Sequence, residues 1–452
     1  MTLGSLHPGQ LQKKEEVVDV NAPLLPTSRE EDHESVDGFR GATFPGAVFN
    51  LSTTVVGAGI MGLPASIKVL GLAPGLAMII FVAFLTDASI SMLLKYSRAG
   101  KAVSYGGVMG NAFGKSGRIL LQIFVVFKTG GVLIIYMIII GLMAKRWTSS
   151  YAGTPPRIDS QHESPTQGIL SNGIAEYCHI VLCHKFKNSL RFTSTLSVAL
   201  AMVFVAVLVG ITIMKLINGS IAMPRWFPEI TDMESVWKLF TVVPVIVTAY
   251  ICHYNVHNIA NELEDSSQMQ SVVRTSLVLC SSLYIMTSLF GFLLFGDSTL
   301  DDVLANFNTN LGIPYSSILN GVVRLSYAVH LMLVYPIIFF ALRLNLDGLL
   351  FPLQRPLVLD NWRFSSITMG LISIIYLGAN FIPSIWDVFQ ITGATAAVSI
   401  GFIFPASITL RDVHKIATKG DKVLSVFIII LAVFSSVVAI YSDISSLYKK
   451  KN

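Results

Sequence analysis

Charge is what this chain has least of: Asp, Glu, Lys and Arg make up 13% of its 452 residues, against 53% hydrophobic residues. An average soluble domain carries about 25% charged residues, so the deficit excludes a soluble globular protein and leaves an integral membrane protein. No nucleic-acid partner is expected. Cysteine is scarce as well. Of Cys178, Cys183, Cys252 and Cys280, the last two lie deep in apolar runs, which excludes a disulfide framework. Cys178 and Cys183 flank HIVL beside His179 and His184, but a C-x4-C spacing without a second matching pair is no zinc site. The first 40 residues contain no apolar h-region, which argues against a cleavable secretory signal. No convergent nucleophile and base stands in the apolar runs, so neither an enzyme nor a cofactor is expected.

What the chain does have is length of apolar sequence. A helix needs roughly 20 apolar residues to cross a bilayer, and such segments fall at 44–67, 69–94, 119–144, 191–214, 238–261, 272–295, 313–342, 364–382, 384–410 and 423–446. All five tryptophans (Trp147, Trp226, Trp237, Trp362, Trp386) stand in loops or at span edges, where an indole suits the headgroup boundary. Residues 1–42 carry four basic and eight acidic residues and read as a disordered acidic cytoplasmic tail. Within them DVNAPLLP (Asp19 to Pro26) loosely resembles an acidic dileucine sorting signal; an ordinary flexible tail is the equal alternative. Residues 43–447 form the membrane domain.

Basic loops stay cytoplasmic. Lys95, Arg98, Lys101, Lys115 and Arg118 place 95–118 inside, Arg411, Lys415, Lys419 and Lys422 place 411–422 inside, and Arg343, Arg355 and Arg363 do the same for 343–363. Asp297, Asp301 and Asp302 mark 296–312 as outside. Only five clear spans separate the first and third of these inner loops, where parity demands an even number. The one segment that could supply a sixth is 168–186, short and carrying Glu176, His179 and His184. Eleven spans are therefore expected, the fourth atypical, with the N-terminus cytoplasmic and the C-terminus on the other face.

The first span contains NLSTTVVGAGIMGLP, in which Gly57, Gly59 and Gly62 spell G-x-G-x-x-G. A dinucleotide turn would have to open an amphipathic helix on a sheet, with an acid about 20 residues on. Pro64, Gly71, Pro74 and Gly75 interrupt any such helix, and Asp87 is too distant. Inside a bilayer, a glycine-rich break is tolerated where it lines a polar cavity or is buried in protein. Freed N–H groups then suit a carboxylate, and freed carbonyls a cation. Close helix packing is the competing use of the glycines. A second polar interruption lies in 238–261, with Pro244, Thr248, Tyr250, Cys252, His253, Tyr254 and Asn255. Two interrupted spans at corresponding positions point to a transporter built on an inverted repeat.

Asp87, Lys128 and His330 sit inside spans, where charge is costly unless it faces the bundle interior. Asp87 and Lys128 are candidates for a structural ion pair or for ion coupling. His253, His257 and His330 are candidates for proton relay or for hydrogen bonding in the interior. Glu262, Glu264 and Asp265 read as a solvated inner mouth.

NLSTTVVGAGIMGLP, TAYICHYNVHNI, LFGFLLFGDSTLDDVL and FIPSIWDVFQITGATAAVSIGFIFPASITLRD together resemble the amino acid/auxin permease family. The resemblance is to its plant vacuolar amino acid transporter (AVT) group, which is similar to the sodium-coupled neutral amino acid transporters. It implies the all-α leucine-transporter fold, with two inverted five-helix repeats, an eleventh helix, and alternating access around broken first and sixth helices. By position, the backbone at Gly57, Gly59 and Gly62 would hold the substrate carboxylate, with Thr53, Ile60 and Tyr136 beside it. Thr248, Tyr250 and Cys252 would form the opposite wall. Asn50 matches an asparagine associated with cation binding, and Asp87, Lys128 and His330 are the further ion-coupling candidates. The sodium-coupled relatives place a hydroxyl residue a few positions before a proline on the eighth helix; here HLMLVYPII has Met332 and Val334 ahead of Pro336. Proton coupling or uncoupled exchange is favoured over sodium by that change. Lys128 stands where a neutral polar residue is usual, and the hydrophilic region 151–187 replaces the apolar fourth span. The expectation is a carrier of amino acids in the vacuolar membrane, with the plasma membrane or another endomembrane as alternatives, and with lipid as its surroundings; a transport-deficient amino acid sensor of the same fold is the alternative function.

Overall fold

The computed structural model describes residues 42–151, 190–307, 311–352, 355–382 and 384–451. Residues 1–41 of the expected tail, and the segment 168–186 with its histidines and cysteines, lie outside the described residues. Backbone polar groups cannot be left unpaired in hydrocarbon, and the long apolar runs accordingly fold as helices. In chain order these are α1 (Phe44–Val55), α2 (Gly59–Leu70), α3 (Leu72–Ala99), α4 (Tyr105–Tyr151), α5 (Leu190–Ile217), α6 (Met233–Tyr250) and α7 (His253–Glu262). They continue with α8 (Met269–Phe295), α9 (Val303–Asn306), α10 (Ser316–Leu350), α11 (Asn361–Phe381), α12 (Ile385–Thr392), α13 (Phe404–Arg411) and α14 (Lys419–Lys451).

Among the described residues, nine helical spans are long and apolar enough to cross a membrane, and α1 with α2 makes a tenth that is bent by 57°. These ten correspond one to one with the ten apolar segments read from the sequence. The expected eleventh falls outside the described residues. α4 extends further back than the 119–144 expected of it, to Tyr105, and turns at Gly114, whose φ of 69° only glycine adopts without strain. Pro244 lies within α6, and residues 393–403 between α12 and α13 wind into two wide π-turns, a local widening that recurs at functional sites.

Contacts at the two ends agree with the charge pattern. On one face Lys95 pairs with Asp421 at 2.7 Å, Tyr96 donates to Asp412 at 2.7 Å, and Ala42 pairs through its backbone with Glu262 and Glu264. On the other, Arg225 pairs with Asp297 at 2.7 Å, and Leu72 and Ala73 donate to the carbonyls of Arg225 and Trp226. Phe84, Val278, Ile374, Ile430 and Val437 are apolar and exposed on helix flanks, a surface for lipid tails. Inside, α2 packs between α6 and α8, while α10 packs along α4 and α5. That arrangement brings the break between α1 and α2 against the break between α6 and α7.

Candidate functional site

The first helix opens at Val56, Gly57 and Ala58, and an opened turn frees carbonyls on one side and amides on the other. Three consecutive carbonyls are taken up by side chains from other helices. Tyr284 on α8 donates to Val55 O at 2.7 Å, His330 on α10 places Nε2 3.1 Å from Val56 O, and Tyr327 on α10 donates to Gly57 O at 2.6 Å. All three of these side chains are buried. Tyr327 and His330 are three residues apart, which puts them on one helix face, their rings 4.8 Å apart.

The amide side has a different neighbour. A Cβ on Gly57 would lie 1.9 Å from the Tyr136 hydroxyl, so the absence of a side chain there is what lets Tyr136 of α4 reach the opened backbone. Gly59 faces α6 instead: a Cβ would fall 2.7 Å from the Cα of Ala249, so the two broken helices meet backbone against backbone. Gly62 continues that contact onto Val245, where a Cβ would come to 3.3 Å. Of the three glycines, one opens the site and two carry close packing. Ile60 is fully buried behind them.

The second break spans Ile251 and Cys252, and Asn255 N donates back to Cys252 O at 2.9 Å to start α7. The Ala249 carbonyl is also 2.7 Å from the Tyr284 hydroxyl, so one side chain reaches both breaks. Gly393, in the first π-turn, presses on this segment: a Cβ there would lie 2.5 Å from Pro244 O and 2.6 Å from Thr248 Oγ1. Thr248 is buried and its hydroxyl has no hydrogen-bond partner among the described residues. Cys252 is fully buried at the break. Nearby, the Lys128 ammonium is 3.4 Å from the Tyr254 hydroxyl and 4.7 Å from the centre of its ring, a cation–π arrangement that suits a dry position.

Several expected residues stand elsewhere. The Tyr250 hydroxyl bonds Ser281 on α8 at 2.9 Å, and Thr53 donates to Phe49 O and to Ser194 O, so both lean away from the opened glycine backbone. The possible pairing of Asp87 with Lys128 does not form. Asp87 instead meets Gln270 at 2.9 Å and Arg274 at 3.4 Å near the start of α8, with its side chain 28% exposed. At a wet helix end the carboxylate keeps part of its hydration, whereas pairing with Lys128 inside the bundle would cost both ions theirs. Asn50 is half-buried with its Oδ1 unpartnered among the described residues, while Asn255 donates to Thr54 at 3.2 Å and ties α7 to α1. His253 shares a 2.8 Å hydrogen bond with Ser89, and His257 stacks on Tyr105 at 6.3 Å with neither nitrogen bonded among the described residues. Glu262, Glu264 and Asp265 are exposed. Tyr284, Tyr327 and Ser197 escaped sequence reasoning; the YAVH spacing of Tyr327 and His330 was the one local signal available.

Comparison with known proteins agrees with this geometry. The family described as transmembrane amino acid transporter protein matches residues 40–447. Amino acid transporter AVT6A of Arabidopsis thaliana is 58% identical over 425 residues, covering 91% of this chain and 90% of its own. Amino acid transporter AVT6B of the same plant is 56% identical, covering 92% of each. Solute carrier family 38 member 10 of Rattus norvegicus is 23% identical over 85% of this chain and 34% of its own length. Among solved structures, MhsT in complex with L-phenylalanine superposes with a TM-score of 0.61 at 14% identity, covering 88% of this chain and 98% of that one. Mhp1, a nucleobase-cation-symport-1 family transporter, superposes at 0.55 and 11% identity over 89% and 84%. The all-α arrangement around two broken helices is thus the leucine-transporter fold, and this multi-pass membrane protein belongs to the transmembrane amino acid transporter family.

Proposed function

We propose that this chain is a secondary carrier of amino acids in the vacuolar membrane, driven by proton rather than sodium gradients and working by alternating access. The reading rests on one observation: the carbonyls freed at the first break are occupied by Tyr284, His330 and Tyr327, while the amide side is left to Gly57 and Tyr136. Freed amides at a helix start attract a carboxylate, and every amino acid brings one. In this reading the substrate carboxylate meets Gly57 and Gly59 through backbone and the Tyr136 hydroxyl through its side chain, with Ile60, whose N–H turns back to Gly57 O at 3.2 Å, beside it. Thr248 and Cys252 form the facing wall, with Gly62 closing the outer side.

Carbonyls already bound to tyrosine and imidazole are poor ligands for sodium, which takes oxygen donors from opened backbone and hydroxyls. Met332 and Val334 add no hydroxyl. Transport of amino acids is supported by the two Arabidopsis relatives named as amino acid transporters, and the vacuolar location by the resemblance to the plant vacuolar group. Uptake of labelled amino acids into proteoliposomes tests the whole reading. Flux that follows an imposed pH gradient and ignores replacement of sodium by choline is the expected result. Binding without flux under every gradient would instead make the protein a sensor of the same fold.

A further inference from the structure

His330 lies mid-way along α10, wholly buried, and both of its ring nitrogens face backbone carbonyls. Nε2 is 3.1 Å from Val56 O and Nδ1 is 2.7 Å from Ser197 O on α5. The Ser197 hydroxyl is also within reach of Nδ1, at 2.9 Å. A carbonyl only accepts, and a neutral imidazole has a single N–H. With that hydrogen on Nε2 and donated to Val56, Nδ1 needs a donor, and the Ser197 hydroxyl is one. When the ring takes a second proton, Nδ1–H donates to the Ser197 carbonyl and the hydroxyl turns aside. The charged ring therefore donates to both carbonyls at once, whereas the neutral ring can serve only one of them, and the Ser197 hydroxyl is the donor at hand when that one is Val56 O.

We propose that His330 and Ser197 form the proton-binding site of this carrier, a titratable cation built into the place where opened backbone would otherwise take up a metal cation. The inference rests on the proton-linked reading above and names where the proton sits. A charged N–H holds a carbonyl more strongly than a neutral one, roughly twofold in energy. Protonation thus grips the Val56 turn, and release of the proton loosens it, which couples the proton to movement of α1. Titratable groups stand on several of the helices around the ring. Tyr327 on α10 lies 4.8 Å away ring to ring, and α4 brings Tyr136, beside Gly57, and Lys128, held at Tyr254. α8 brings Cys280 and Tyr284, α11 brings Arg363, engaged with Asp347 at 3.0 Å, and Tyr376, and α5 brings Lys215 at its far end. α1 carries no titratable side chain, and no carboxylate among the described residues bonds either ring nitrogen.

The test uses the full chain in proteoliposomes, measuring initial uptake rate and apparent KM across a pH series for wild type, His330→Gln and Ser197→Ala. Glutamine keeps a donor for Val56 but cannot take up a proton, so whatever uptake His330→Gln retains is expected to be flat across pH and unresponsive to a pH gradient. Ser197→Ala removes the donor that serves only the neutral ring. The charged form then gains, and the midpoint of the pH profile is expected to move up by roughly half to one unit. A wild-type pH profile in His330→Gln overturns the inference while leaving proton-linked transport standing; an unmoved midpoint in Ser197→Ala overturns it equally. If His330→Gln does not fold, Ser197→Ala alone decides. A wild-type protein indifferent to pH would instead bring down the proton-linked reading itself.

Discussion

The two helix breaks face each other but are built on opposite plans. In the first, glycine opens the chain and side chains from α8 and α10 bind each freed carbonyl, from Val55 to Gly57. The second, at Ile251 and Cys252, contains no glycine; its neighbours supply them, with Gly59 pressed on Ala249 and Gly393 on Pro244 and Thr248. Near the second break Thr248 Oγ1, His253 Nδ1 and both nitrogens of His257 have no partner among the described residues, as Asn50 Oδ1 and Ser52 Oγ have none ahead of the first. Buried polar groups are nearly always bonded, and exceptions mark places where something else binds or moves. The difference teaches that the first break is a bonded socket with a defined polarity, and the second a break held by close packing against neighbouring glycines.

The largest effect is expected where the two plans touch. Gly59→Val places new atoms on the backbone of Ala249, where a Cβ alone would already sit at 2.7 Å, a misfit that costs about 1–3 kcal/mol or more. Uptake should fall to background with a lowered melting temperature. A well-folded variant with unchanged substrate affinity would remove Gly59 from the site.

Tyrosine-to-phenylalanine changes separate the breaks next. Tyr284 shares its one O–H between Val55 O and Ala249 O, while Tyr327 gives its own to Gly57 O, which also accepts from Ile60 N at 3.2 Å and so keeps a donor without it; a buried acceptor left unmet costs about 1–3 kcal/mol. Tyr284→Phe should therefore lower the thermal midpoint more than Tyr327→Phe. An equal or reversed order would show that Tyr284 does not bridge them.

A third, smaller effect concerns Gly57 and Tyr136. Gly57→Ala meets the Tyr136 hydroxyl at 1.9 Å, whereas the next ring atom is 3.1 Å away. Adding Tyr136→Phe should thus recover part of the lost stability, a coupling of roughly 0.5–3 kcal/mol in a double-mutant cycle. Strict additivity would mean the two groups do not meet.

The smallest effect lies outside the membrane and serves as a control on both breaks. The Asp412 carboxyl is held down at about 2, first by the Tyr96 hydroxyl and then by the amides of Ala417 and Ile416 and by Lys422. A depressed carboxylate contributes stability above its ordinary value of 3.8 and loses it as pH falls toward about 2. The melting-temperature difference between wild type and Asp412→Asn should hold steady from about pH 8 to pH 5 and shrink below about pH 4. A difference that vanished near neutrality would contradict the Tyr96 contact.

Much of the fold could be read in one dimension. Apolar length located ten spans, and glycine marked the first interruption and a polar run the second, because each of these is a property of a short stretch of chain meeting a bilayer. The site was legible only in part. Gly57 and Thr248 were placed at the breaks, yet the roles of Gly59 and Gly62 as packing surfaces depend on Ala249 and Val245, about 180 to 190 positions away along the chain. Asp87 was assigned a possible partner by its rarity, and tertiary structure gave it Arg274 instead.

By itself the sequence determined that this is a helical membrane protein with two opened spans, since desolvation of the backbone permits such openings only where they line a polar cavity or are buried in protein. Only the tertiary structure decided which groups occupy the freed carbonyls. Tyr284, Tyr327, His330 and Ser197 come from three helices distant along the chain, and no local pattern encodes which of their hydrogen bonds meet. That selection depends on how α5, α8 and α10 pack around α1, and it leaves the opened turn with its freed carbonyls bonded by side chains.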